Sequence, residues 1–170
     1  YDKKLVKKEN VYADINPIHG IWRIPNSEAR ITGGCFDAMD FTNSFGARDD
    51  EWDDSEYPKS AMVLGDSYIA GYGVNEEFRA TEVFEEKSGI KMKNMAISGH
   101  FGPTQYRLLY ERFKDDIKHD YVFIGLNLPK DLYDEDFDSW KNKPRYRPYL
   151  IGDYPDYELI YGSVPLSESA

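Results

Sequence analysis

The chain is poor in the residues that most often carry metal and redox chemistry. It has one cysteine, Cys35, in 170 residues, so an intrachain disulfide is impossible and no cysteine-based metal site can form. The redox compartment stays open, with an extracytoplasmic one favoured. Histidine is nearly as scarce: His19, His100 and His119 are the only imidazoles. Long apolar runs are missing too. A stretch such as Tyr121 to Leu126 is far short of the roughly 20 residues that cross a bilayer, and the N-terminus carries no signal-peptide pattern. No membrane insertion by this segment is expected. Positive charge is in deficit, with 21 basic against 31 acidic residues and a net charge of −10. That argues against nucleic acid, whose binding rests on Lys and Arg displacing counterions, and against an anionic membrane surface. No Asn-x-Ser/Thr acceptor and no internal repeat occurs.

What remains is a chain built to fold. Hydrophobic residues make up 41% and aromatics 15%, with 14 tyrosines, too apolar for disorder and long enough for one buried core. Residues 1–58 read as a lead-in of loops and short strands, punctuated by Pro17, Gly20, Pro25, Gly33, Gly34 and Gly46. From 59 to 170 the character is α/β. Ala61 to Leu64 has the pattern of a strand buried on both faces. Glu76 to Ser88 reads as a helix with Asn75 as N-cap and Gly89 as stop. Met92 to Ile97 is a second strand. From Pro103, the spacing of Tyr106, Leu109, Tyr110, Phe113 and Ile117 gives one apolar helical stripe. Tyr121 to Leu126 is a third strand ended by Pro129, followed by an acidic loop and an aromatic hairpin over Tyr146 to Tyr161. Strand, helix, strand, helix, strand with short links predicts right-handed crossovers and a parallel sheet covered by helices.

In such a sheet ligands bind at the carboxyl ends of the strands, where loops converge. Ser67, Gly99 and Asn127 follow the three strands. A serine hydroxyl, the backbone N–H groups of Ser67 and Gly99, and the Asn127 amide supply a nucleophile with donors for a tetrahedral oxyanion. Here the sequence resembles a family. Gly65-Asp66-Ser67 with Gly71-Tyr72-Gly73-Val74, then Asn94-Met95-Ala96-Ile97-Ser98-Gly99, then Gly125-Leu126-Asn127 is similar to the first three blocks of the SGNH (GDSL-type) hydrolases, in order. The lead-in Thr42 to Asp49 is similar to a segment preceding Gly-Asp-Ser in one bacterial branch. The resemblance implies a flavodoxin-like, three-layer α/β/α fold and an esterase or acyltransferase acting on acyl or acetyl esters of carbohydrate or lipid. Ser67 would be the nucleophile, and Gly99 and Asn127 would complete the oxyanion hole. Asp66 and His100 would lie beside a small-molecule or glycan ester substrate, and no cofactor or metal is called for. Two departures stand out: Leu128 replaces the aspartate of the usual Gly-x-Asn-Asp, and Ile69 differs from the Gly-x-Ser-x-Gly elbow of the α/β-hydrolases.

Half of the machinery is missing. A serine needs a base, usually a histidine oriented by a carboxylate, and in the family an Asp-x-x-His block supplies both. None of the three histidines has an aspartate three positions earlier. His100, next to Gly99, reads as a loop residue facing substrate or solvent, with a substitute base as the lesser reading; His19 and His119 read as structural. The chain starts at Tyr1 rather than Met, which suggests a processed product or an internal fragment. Either a C-terminal segment or partner chain supplies the block, or the protein is a non-catalytic binding or assembly subunit. Asp49 to Glu56 reads as a solvated acidic loop, with a calcium site as the lesser reading. Asp134, Asp136 and Asp138 fail as an EF-hand, because Ser139 and Arg145 stand where glycine and glutamate are needed. The tyrosines at 146, 149, 154, 157 and 161 read as strand packing, with a sugar-stacking face as the alternative.

Overall fold

A computed structural model describes residues 13–99, 101–143 and 145–162. Two antiparallel hairpins come first: β1 (Ala13–Asn16) with β2 (Gly20–Arg23), and β3 (Glu28–Thr32) with β4 (Asp37–Phe41). β5 (Ser60–Gly65) follows, then a single 3-10 turn at Glu76–Phe78, α1 (Ala80–Ser88), β6 (Lys91–Asn94), α2 (Pro103–Phe113) and β7 (Tyr121–Gly125). β6, β5 and β7 pair in that order as a parallel sheet, with Val63 opposite Asn94 and Gly65 opposite Gly125. The chain is α/β.

β5 is buried at every position, and its alternate residues serve opposite faces. Met62 and Leu64 pack with Tyr106, Leu109 and Phe113 of α2, while Ala61 and Val63 pack with Met92 on the face where α1 lies. Trp22 of β2 and Ala47 belong to the same core as Met62 and Leu64. The lead-in is thus packed into the α/β part.

Three elements differ from expectation. The helix read from Glu76 to Ser88 is interrupted at Arg79, which is extended (φ −65°, ψ 147°) so that its buried side chain reaches Asp49 and the Arg48 carbonyl. Pro129 does not lead into a loop: it lies in the first turn of α3 (Leu128–Glu135), where its missing N–H costs nothing. A short α4 (Phe137–Trp140) follows, and the acidic residues Asp131 and Asp134 are buried by α3. β7, apolar enough for a buried strand, is exposed: Val122 is 39% and Ile124 54% accessible. Its outer edge has no strand partner among the described residues, and its faces overhang α2 on one side and α1 on the other.

The aromatic segment is a hairpin as read, β8 (Arg147–Ile151) against β9 (Glu158–Gly162). The rings of Tyr146 and Tyr161 stack at 5.3 Å, whereas Tyr149 is buried against Phe137 and Tyr154 projects into solvent at the tip. The tyrosines do not share one face.

His19 is buried in the turn between β1 and β2, edge-on to Trp22 at 5.8 Å. Burial, with Arg112 nearby, pushes its pKa down to about 4 from 6.5. Between those values the unfolded chain takes up a proton that the folded chain refuses, so His19 removes stability as pH falls from 6.5 towards 4. In urea unfolding, the stability difference between wild type and His19→Gln is expected to shrink by about 2 kcal/mol between pH 7 and pH 5. A difference independent of pH would show that His19 is free to protonate.

Candidate active site

The turn after β5 begins with two glycines facing each other across the sheet. Ile69 folds back over Gly65 and Gly125, and a Cβ on either would collide with it. Asp66 Oδ1 accepts the Tyr68 N–H at 2.9 Å, the Asp66 carbonyl accepts the Ala70 N–H at 2.9 Å, and the Ser67 carbonyl accepts the Tyr72 N–H at 2.9 Å. Ser67 is therefore fixed at the start of a compact turn. It is half-buried, and its hydroxyl makes no hydrogen bond among the described residues.

This turn is gripped from outside by the lead-in. The buried Arg48 guanidinium donates to the carbonyls of Ala70 (2.8 Å), Gly71 and Val74 (2.5 Å), and pairs with the buried Asp40 carboxylate at 2.5 Å. Gly71 has φ +69°, and a side chain there would also strike Arg79 Cγ at 2.6 Å, so glycine is required both by conformation and by space. Asn43 shapes the segment that delivers Arg48: its Oδ1 accepts the N–H groups of Phe45 (3.0 Å) and Ala47 (3.1 Å). Asp49, next in sequence, accepts the Asn94 N–H at 3.0 Å and the Trp52 indole N–H at 2.8 Å. It is buried, which corrects the reading of Asp49 to Glu56 as wholly solvated: the segment opens with a buried anchor. Burial pushes the Asp49 carboxyl up, against the opposing pull of Arg79. Asp49, Glu76 and Glu82 bring carboxylate oxygens together in the way a cation site would. Arg79 already supplies the positive charge, with Nη2 at 3.3, 2.5 and 2.9 Å from the three.

The second loop continues from β6. Met95 and Ile97 still donate to the Val63 and Gly65 carbonyls, so the segment runs beside β5 past Asn94. Arg23 holds it from the lead-in by donating to the Ala96 carbonyl at 2.9 Å. Gly99 is exposed at φ +108°, with its carbonyl accepting from Arg145 at 2.8 Å. His100 lies outside the described residues.

The third loop sets Asn127 as the N-cap of α3. Its side-chain amide has no hydrogen-bond partner among the described residues, whereas its backbone N–H donates to Asp131 Oδ2 at 2.9 Å. Leu128 is 59% exposed; the carboxylate that reaches Asn127 comes from Asp131, one helical turn later. An open cleft of about 440 Å³ is lined by Asp66, Tyr68, Ile69, Gly125, Leu126 and Asn127. The structure thus brings Asn127 to the same cleft as Asp66 and Tyr68, the two neighbours of Ser67, while neither Ser67 itself nor Gly99 lines it. The Asp66 carboxylate is buried and engaged with Tyr68 and, at 3.5 Å, with Lys130. No described imidazole belongs to this cleft: His19 packs on Trp22, and His119 Nδ1 bonds the Ile117 carbonyl at 2.6 Å beside Tyr110.

Sequence reasoning missed Arg48, Asp49 and Asp131. A charged residue set among apolar and small neighbours, as Arg48 is in Phe45-Gly46-Ala47-Arg48, was the available signal. Arg48→Met should cost about 3–5 kcal/mol, because it takes the Arg48 cation from buried Asp40 and the Arg48 donor from the Ala70 and Val74 carbonyls; chemical denaturation measures this. A loss below about 1 kcal/mol, the range of exposed pairs, would remove Arg48 from its anchoring role. Compared with known proteins, the chain matches no family model, no curated protein and no solved structure.

Proposed function

We propose that the chain carries the nucleophile half of an SGNH-type serine esterase or O-acyltransferase, a three-layer α/β/α domain acting on acyl or acetyl esters of carbohydrate or lipid. One observation carries the reading. Adjacent parallel strands in the order β6, β5, β7 each run, at their carboxyl ends, into one of the three blocks that hold Ser67, Gly99 and Asn127. In this reaction Ser67 Oγ attacks the ester carbonyl carbon while its proton passes to a base. The carbonyl oxygen becomes an oxyanion, met by the Ser67 N–H and the Asn127 amide, with the Gly99 N–H joining them only once its loop moves in from outside the cleft. Collapse expels the alcohol with the proton returned to it. Water or an acceptor hydroxyl then takes the acyl group from the serine.

No described histidine lies at the cleft, so in this reading the base is an Asp-x-x-His segment outside Tyr1–Ala170 or from a partner chain, with His100 as the lesser alternative. The exposed apolar faces and open edge of β7 suit additional strand and helix units, because parallel sheets are ordinarily covered on both faces. A second reading, a non-catalytic binding or assembly subunit, is favoured by the lack of an imidazole near the Ser67 turn among the described residues.

An organophosphonate serine probe separates the two readings. The full-length gene product is expected to be labelled at Ser67, and Ser67→Ala to lose the label. No labelling, or equal labelling of Ser67→Ala, would leave the binding-subunit reading.

A further inference from the structure

Asn127 and Ser67 lie on different loops, and one chain of polar contacts runs between them. Asp66, beside Ser67, accepts the Tyr68 N–H through Oδ1 and turns Oδ2 towards Lys130 Nζ at 3.5 Å. Lys130 bonds Asp134 at 2.8 Å and faces Asp131 Oδ1 at 3.9 Å. Asp131 accepts the Asn127 N–H through Oδ2 at 2.9 Å, and its own N–H donates to the Asn127 carbonyl at 2.8 Å. Asp66, Asp131 and Asp134 are all buried, and Asp66 Oδ2 and Asp131 Oδ1 have no hydrogen-bond donor.

We infer that Asp131 is a positioning residue, holding the Asn127 turn in register with the Ser67 turn through Lys130 and Asp66. An ordinary helix cap would account for the bond from Asn127 to Asp131. It would not account for three buried carboxylates gathered around the half-buried Lys130 between the two loops, since a cap needs neither Lys130 nor Asp66. Burying three carboxylates around one ammonium is costly, and the Asp131 carboxyl is accordingly pushed up by burial and by the charge of Asp66, against the Asn127 N–H and Lys130. Tyr106 belongs to the same environment: its hydroxyl donates to the Phe101 carbonyl at 3.0 Å, and burial together with Asp131 and Asp66 raises its pKa. The cost falls where a fixed distance between Ser67 and Asn127 has value, because an oxyanion donor displaced by about 1 Å forfeits on the order of 100-fold in rate.

The inference rests on the esterase reading, and two measurements keep their failures apart. The first is amide hydrogen exchange at Asn127 in the full chain, which requires no activity. The second is the rate of phosphonate labelling at Ser67. In Asp131→Ala the Asn127 amide is expected to lose protection, and labelling to slow about 100-fold with little change in half-saturating probe concentration. Asp131→Asn, which keeps an acceptor for the Asn127 N–H, is expected to restore labelling to within about tenfold of wild type. Persistent protection of Asn127 in Asp131→Ala, or labelling at the wild-type rate, overturns the inference. If the wild type itself is not labelled, the esterase reading fails, and the Asn127 exchange rates still decide whether Asp131 holds the turn.

Discussion

The arrangement at the strand ends depends on a buried guanidinium. Arg48 satisfies carbonyls of Ala70, Gly71 and Val74 from outside a turn already bonded within itself, and Asp40 balances its charge. A lysine could not take its place, because one ammonium lacks the planar fork that reaches several carbonyls and a carboxylate at once. The glycines follow from this. Gly71 keeps room for Arg79 and Arg48, and Gly65 and Gly125 keep room for Ile69, which closes the sheet end above them. Asp49 repeats the device one residue later, joining the lead-in to Asn94 of β6 and to Arg79 before α1. Two adjacent side chains from one loop therefore hold the turn of Ser67, the end of β6 and the start of α1 together.

How much of this was legible depended on whether the signal was local. The parallel sheet and α2 were readable because their information sits in periodicity: a continuous apolar run at Ala61 to Leu64 and a helical stripe from Tyr106 to Phe113. The β8 and β9 hairpin was readable from its aromatic pattern. α3 was not, because Pro129 ends a strand and starts a helix with equal ease, and Asp131 and Asp134 look solvated until Lys130 is seen beside them. The break at Arg79 was hidden for the same reason, since it answers to Asp49, thirty positions away. The roles of Arg48 and Asp49 are contacts at long separation, which no window of sequence contains. Of the candidate site, the strand-end placement of Ser67 and Asn127 could be read from the order of elements; the inward turn of Asp66 and the absence of Gly99 from the cleft could not.

The site has a half-buried serine on a compact turn, and beside that turn an open cleft lined by the Asn127 amide. A serine hydroxyl has little reactivity at neutral pH without a base, and among the described residues no imidazole lies at this cleft, so the proposed esterase chemistry requires one to be supplied. β7 is apolar, open at its edge among the described residues and only partly covered by α2 and α1 on its faces. Exposed apolar strands are a liability in isolation, which makes covering this one favourable in itself.

If the lead-in holds the Ser67 turn as described, that turn cannot open without unfolding the core. Native-state hydrogen exchange at the amides of Ala70, Tyr72 and Val74, each bonded within the turn, measures this directly. Exchange of all three with the free energy of global unfolding is the expected result. Exchange through a local opening of much lower free energy, while β5 stays protected, would contradict it.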